Sequence, residues 1–375
     1  MSRSSSAKRR VSPPKYAMYL AVLPFYRQAC VDVLRRELGD GLAIYAGPSQ
    51  LDTSVRTGVA SRDYKSVKNI SILGRALLQL GGWREVMRAD AAILDLNPRS
   101  LTSWLLMLVR KVRGRRTLLW GHLSPRRGMN SATSRLRESM RGLADGTILY
   151  GYDSVVPARD MNPRVPLWVA PNSLYLAEQM TPALMDSASP SVLYVGRLVA
   201  SKKVELLIRA LTVPAAASAG VIVEIVGAGE EEGHLRGLAS ELGVADRVVF
   251  HGEITSPRDL HSLYERVAVA VSPGYAGLSV TQALGFGVPV LVAKDEPHAP
   301  EIELVRFGGI RFFESDNAIA LGKAITTEIE AASKQDRETL AARVRGAYSA
   351  EQMAAGLIDA LRGHKQLLND EGWPA

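Results

Sequence analysis

Short apolar runs recur along the chain, each bounded by Gly, Pro or charged residues and separated from the next by amphipathic stretches. In the first half they cover residues 16–23, 42–46, 91–96, 117–120 and 146–150; in the second, 192–195, 221–226, 268–271 and 289–292. A run too short for a helix and lacking polar alternation reads as a strand buried on both faces, as in parallel sheets. Between the runs apolar residues return at helical spacing: Ala29, Val33, Leu34 and Leu38 ahead of Gly39, then residues 101–112 and 134–143. This alternation predicts an α/β chain. Residues 1–15 read as a disordered basic tail, residues 47–68 as a polar loop, and residues 177–190, with Pro182 and Pro190, as a linker. After about Asp316 the pattern is helical through Leu368.

A chain of 375 residues exceeds one ordinary core, so two domains are expected, residues 16–180 and 190–348, followed by a terminal segment 349–375. No apolar run approaches the ~20 residues of a membrane-spanning helix. The single cysteine, Cys30, excludes an internal disulfide and reads as core. The net charge of +8 is unevenly spread. Lys and Arg outnumber Asp and Glu by roughly two to one over residues 1–180, and the balance reverses beyond them. The basic half implies an acidic partner. An anionic bilayer or a diphosphate-bearing acceptor fits better than nucleic acid, since no nucleic-acid module is recognisable. The helix over residues 101–112 invites a membrane reading through its greasy face and basic end. The competing reading, a crossover helix packed on its sheet with Arg113, Arg115 and Arg116 at its exposed end, is preferred because strands flank it.

Three turns carry candidate chemistry. Strand 192–195 runs into Gly196-Arg197-Leu198, with Ser201-Lys202-Lys203 opening the next helix. Strand 221–226 ends at Gly227 and Gly229 in the run IVGAGEE. Strand 268–271 leads to SPGYAGLSVTQALGFGVPVL, with Gly274, Gly277, Leu278, Ser279 and Gln282. Gly turns let backbone approach a ligand, helix N-termini present free N–H groups to anions, and two cations suit a pyrophosphate. In their order and spacing these motifs, with LGVADRVVFHGEI between the second and third, resemble the nucleotide-binding half of a family 4 retaining glycosyltransferase over roughly residues 190–315. The resemblance implies the GT-B fold, two Rossmann-like domains facing each other across a cleft, with a C-terminal helix crossing back to the first domain. It implies a nucleoside diphosphate-sugar donor, a glycan or lipid-linked acceptor, and a cytoplasmic location with peripheral membrane contact. The chain also departs from the family. The usual Glu-(x)7-Glu pair is Gly274 and Gln282 here, and Lys203 stands where Gly is usual.

By the same resemblance Arg197 and Lys202 neutralise the leaving diphosphate, and Gly196, Gly227, Gly229, Gly274, Gly277, Leu278, Ser279, Gln282, His298 and Glu301 line the donor. His122, in Trp-Gly-His after a strand, is similar to a histidine placed beside the donor sugar; a structural turn histidine is the alternative. Arg27, Arg126 and Arg127 fall on the acceptor side, although each also reads as a solvated charge. His298 reads either as a donor contact or as an exposed loop residue. Gln282 reads either as a ribose contact or as part of a capping box with Ser279 as N-cap. No Asp-(x)-Asp or His/Cys cluster suggests a metal, and no cofactor is expected. The competing functions are a catalytically inactive GT-B member and a GT-B nucleotide-sugar 2-epimerase.

Overall fold

The computed structural model describes residues 14–51, 55–124, 132–185 and 191–375. The predicted tail (in part), Arg126, Arg127 and the end of the predicted linker lie outside them. The chain divides into two compact units. One comprises Met1–Leu149, Ala158–Trp168 and Gly356–Gln366; the other comprises Tyr150–Pro157, Val169–Ala355 and Leu367–Ala375.

The strands of the first unit are β1 (Tyr16–Leu20), β2 (Leu42–Ala46), β3 (Lys65–Ser66), the hairpin β4 (Lys68–Ile72) and β5 (Ala76–Leu80), β6 (Ala91–Asp95), β7 (Arg116–Gly121), β8 (Gly146–Leu149) and β9 (Leu167–Val169). Seven of them form one sheet in the order β3-β2-β1-β6-β7-β8-β9. The pairs from β3 through β8 run parallel. Strand β1 is buried at every position, as a strand covered on both faces must be. Cys30 is core, and burial pushes its thiol up to about 12. The hairpin β4–β5 was not expected from the sequence. Its turn, Leu73-Gly74, has φ of 50° and 65°, the positive pair of a tight hairpin turn, without the Asn-Gly or Asp-Gly that announces one.

Arginines fasten this unit from within. Arg110, fully buried on helix Leu101–Val112, donates to the carbonyls of Val86, Ala89 and Arg116 and to Thr117 Oγ1. Arg116, expected at an exposed helix end, lies instead in β7. It donates to Ala360 O (2.8 Å) and Leu361 O (3.2 Å) at the end of helix Ala350–Arg362, where a cation meets the negative end of the helix.

The second unit has β10 (Ser191–Val195), β11 (Val223–Val226), β12 (Val248–Gly252), β13 (Val267–Ser272), β14 (Val290–Ala293) and β15 (Ile310–Phe313). They form a parallel sheet in the order β12-β11-β10-β13-β14-β15. Residues 169–180, read from sequence with the first domain, group here with the second unit. Tyr175 stacks on Phe286 at 5.5 Å and receives a hydrogen bond from Gln282. Residues 150–157 are held by Glu303, which accepts from Tyr152 N (2.8 Å), Asp153 N (2.9 Å) and Tyr348 Oη (2.5 Å). Burial nonetheless pushes its carboxyl up to about 7.

In the middle of β11 sits a buried carboxylate, Glu224. It accepts two 2.7 Å bonds from Arg266, one of 2.6 Å from Ser191 Oγ, and approaches His251 Nε2 at 2.9 Å. Burial works to raise its pKa, but these partners outweigh it and hold the group below the usual glutamate value. Removing one partner of a buried ion pair leaves its desolvation uncompensated. Arg266 is itself half exposed, which reduces that cost, so Arg266→Ala should destabilise the protein by roughly 1–2 kcal/mol in denaturant unfolding. A loss within error would show that Ser191 and His251 suffice.

Candidate functional site

In the second sheet the chain moves outward from β10 to β11 and β12, then returns to the other side of β10 with β13. The crevice between the carboxyl ends of β10 and β13 is thus the topological switch point, where open α/β sheets bind ligands. A small solvent-open pocket lies there, walled by Tyr194 and Val195 at the end of β10, Ser272 at the end of β13 with Pro273 to Tyr275 after it, and Lys202 and Ser279.

Lys202 belongs to a single 3-10 turn, Ala200–Lys202. Its Nζ donates to Tyr275 O at 2.6 Å and lies 5.0 Å from the centre of the Tyr275 ring. Arg197 is exposed on the loop after β10, and its carbonyl accepts from Tyr194 Oη at 2.8 Å. Lys203 has φ 51° and ψ 36°, a left-handed conformation that costs a side chain roughly 1–2 kcal/mol. This explains why Gly is usual there. Lys203 is held by Glu296 (2.5 Å) and Asp316 (2.7 Å), which raise its pKa.

The glycines have packing tasks. A Cβ on Gly227 would stand 1.8 Å from Gly196 O, and one on Gly229 2.1 Å from Leu198 O. These residues let the turn after β11 lie directly against the turn after β10. Gly274 is equally constrained: a Cβ there would lie 2.5 Å from Ser201 O and 3.0 Å from Lys202 Cα. The loop bearing Lys202 occupies the space a glutamate would need at 274. Gly277 is different. Its nearest neighbour would be Ala299 Cβ at 3.6 Å.

Helix Leu278–Gly285 begins two residues earlier than a capping box with Ser279 as N-cap would require. Its N-cap is Gly277, without a side-chain cap, and Ser279 Oγ lies 3.4 Å from Ser272 Oγ. The expected Ser279–Gln282 box is not formed. Gln282 is instead buried between two tyrosines, accepting from Tyr264 Oη (3.3 Å) and donating to Tyr175 Oη (2.5 Å). Both ends of its amide are engaged in the protein interior.

His298 is neither an exposed loop residue nor turned wholly to a ligand. Its Nδ1 accepts from Ala276 N at 3.1 Å, so Nε2 carries the proton and donates to Ala293 O at 2.6 Å. It pins the Gly-rich turn to the end of β14. Burial lowers its pKa below 6.5. Glu301 is fully buried and accepts from Asn172 Nδ2.

In the first unit His122 is exposed just beyond β7. Arg137, which the sequence reading missed, donates to His122 O (2.8 Å) and Leu96 O (2.7 Å), joining the ends of β7 and β6. Burial brings its pKa down to about 10. Arg27, read as a solvated residue or an acceptor contact, is buried, its guanidinium 5.2 Å from the Tyr26 ring centre and 5.4 Å from that of Trp120. The switch point of this sheet, between β1 and β6, is filled by its own side chains. Asp95 accepts from Ala21 N at 2.5 Å, and Asn69 donates to Ala21 O at 2.8 Å. Among the described residues no group of three or more His, Cys, Asp or Glu is arranged to hold a metal.

Gly274→Ala should force the Lys202 loop outward and lower the melting temperature; an unchanged value would show that the loop yields freely. The His298 pin has a definite pH sign. A group whose folded pKa is depressed contributes stability above its unfolded value, near 6.5, and loses it as pH falls through the folded value. Protonated Nδ1 would face the Ala276 N–H. Wild type should therefore lose stability on acidification in a way that His298→Ala does not. Parallel pH profiles for the two would contradict the assignment.

Residues 178–345 match the family model described as glycosyl transferases group 1. Among curated proteins, an uncharacterized glycosyltransferase of Methanocaldococcus jannaschii is 34% identical over 105 residues. That match covers 27% of this chain and about a quarter (26%) of the relative. Among solved structures, Anabaena HepE in complex with UDP covers 93% of this chain and 100% of its own, with TM-score 0.69 and 15% identity. HepE has also been solved with UDP-glucose, at TM-score 0.63, 16% identity, and coverage of 93% of this chain and 99% of its own. Sucrose-phosphate synthase from Thermosynechococcus elongatus covers 93% of this chain and 98% of its own, at 0.65 and 16%. At these identities the structures establish the fold alone. Residues 178–345 belong to the glycosyl transferases group 1 family, within a chain that has the two-domain α/β, GT-B fold.

Proposed function

We propose that the chain is a glycosyltransferase whose second unit holds a nucleoside diphosphate-sugar by its diphosphate at the β10/β13 switch point. The observation that carries this reading is the convergence, at one small pocket, of Lys202, the Gly274–Gly277 turn and the start of helix Leu278–Gly285. An ammonium group and unpaired helix N–H groups both favour an anion. Arg197, exposed on the loop next to them, supplies a second cation. HepE, which shares the fold, was solved with UDP and with UDP-glucose, which supports a donor of that chemical class here.

Transfer breaks the bond between the sugar and the diphosphate, and negative charge grows on the leaving oxygen. Cations and amide dipoles fixed before the reaction stabilise that charge without reorganising. Lys202, Arg197 and the helix N-terminus would do so without a divalent metal. Retention of anomeric configuration belongs to the same reading. So does a glycan or lipid-linked acceptor, handled by the basic first unit with His122. A nucleotide-sugar donor is in keeping with a cytoplasmic site of reaction.

One observation favours a second reading, an inactive nucleotide-binding relative. The position of the family's first glutamate is closed by backbone at Gly274, and Gln282 is engaged by Tyr175 and Tyr264. Nucleotide binding without transfer or donor hydrolysis, across a broad donor and acceptor panel, would select it.

Lys202→Ala and Arg197→Ala should each remove a charge-assisted contact worth roughly 1.5–3 kcal/mol, at least about tenfold in nucleoside diphosphate affinity by calorimetry; melting temperature should be kept in Arg197→Ala and fall somewhat in Lys202→Ala, which also loses the bond to Tyr275 O. His122→Ala should cut transfer more than binding. If both cation variants bind like wild type, the diphosphate assignment is wrong.

A further inference from the structure

Helix Leu101–Val112 has two apolar faces. Leu106 and Met107 are buried against the rest of the first unit, and the fully buried Arg110 lies on the same side. On the opposite side Leu101, Leu105, Leu108 and Val112 are 44, 45, 46 and 90% exposed. At about 100° per residue these four fall within an arc of roughly 60°, centred about half a turn from the buried face. Leu136, on the neighbouring helix Ala132–Leu143, adds another half-exposed leucine, and Lys111 Nζ reaches that helix at Leu143 O (2.8 Å). Packing within the unit accounts for one face of the helix and leaves the other without a task.

The charge around this stripe has one sign. Residues 96–137 contain ten Lys and Arg and no Asp or Glu. Arg99 is exposed just before the helix, Lys111 and Arg113 are exposed at its end, and Arg135 is exposed beside Leu136. Arg115 is partnered by Asp90 from outside this stretch. A row of leucines bracketed by basic residues, on a helix about 18 Å long, is too short to span a bilayer. It has the pattern of a helix lying in the plane of an anionic lipid surface, with its apolar side among the acyl chains and its basic residues at the headgroups. A protein partner or second copy would call for acidic groups facing these cations, and the stripe itself has none.

We infer that the outer face of Leu101–Val112 docks the first unit onto an anionic membrane surface. The inference is independent of the donor chemistry. It also reconciles the two sequence readings of this helix, which is a packed crossover helix on one side and a membrane face on the other.

The test is co-sedimentation of the full chain with phosphatidylcholine vesicles, with and without phosphatidylglycerol. Wild type should partition onto the anionic vesicles, with binding falling as salt rises, and bind the neutral ones weakly. Leu105→Glu/Leu108→Glu should weaken that partition at least about tenfold with melting temperature retained; Leu105→Gln/Leu108→Gln serves if the charged pair fails to fold. Lys111→Gln/Arg113→Gln should weaken binding and flatten its salt dependence. Absence of wild-type binding would overturn the inference. So would leucine variants that partition like wild type, since a basic segment such as residues 1–15 would then carry the binding. Self-association abolished by the leucine variants, with no vesicle binding, would assign the face to a second copy and overturn it equally.

Discussion

The pocket of the second unit depends on how closely two turns approach each other. Ser201 O and the Lys202 backbone pass so near residue 274 that a Cβ there would lie 2.5 Å from the first and 3.0 Å from the second. Tyr275 N donates to Ser201 O at 3.2 Å, and Lys202 Nζ returns a bond to Tyr275 O at 2.6 Å. The loop that carries the cation is thus fastened to the turn that forms the opposite wall. Lys203 continues the arrangement, its left-handed backbone kept in place by Glu296 and Asp316. His298 pins the same turn from the other side through Ala276 N. The departure from the family pattern at 274 has a physical cause. A loop drawn in against a glycine leaves no room for a carboxylate.

Topology decides where this matters. In each sheet the strand order reverses once, between β1 and β6 in the first and between β10 and β13 in the second. The first reversal is closed by Asp95, Asn69 and Gln79, which bond to one another or to the backbone at the end of β1. The second remains a pocket with a lysine in its wall.

The strands were legible because residues buried on both faces must be apolar, and the turns because glycine is needed where backbone meets backbone. What escaped the reading depends on polar groups whose partners are distant in sequence. Arg110, Arg141 and Arg337 look like surface charges in the sequence. All three are buried, and Arg337 reaches the carbonyls of Ala183 and Val267 from 70 or more residues away. Glu224 interrupts a strand pattern and is paid for by Arg266 across the sheet. Ser279 and Gln282 have the spacing of a capping box, but the helix starts at Leu278, and Tyr175 and Tyr264 take the glutamine. Local spacing alone does not reveal a competing tyrosine a hundred residues away.

The central claim is that a diphosphate sits between the ends of β10 and β13. The most direct measurement is a crystal structure of the chain with a bound nucleoside diphosphate. The account predicts phosphate oxygens within hydrogen-bond reach of Lys202 Nζ and of the amides opening helix Leu278–Gly285, with the Gly274 turn unmoved. A nucleotide seated elsewhere, or phosphates that touch neither group, would contradict it.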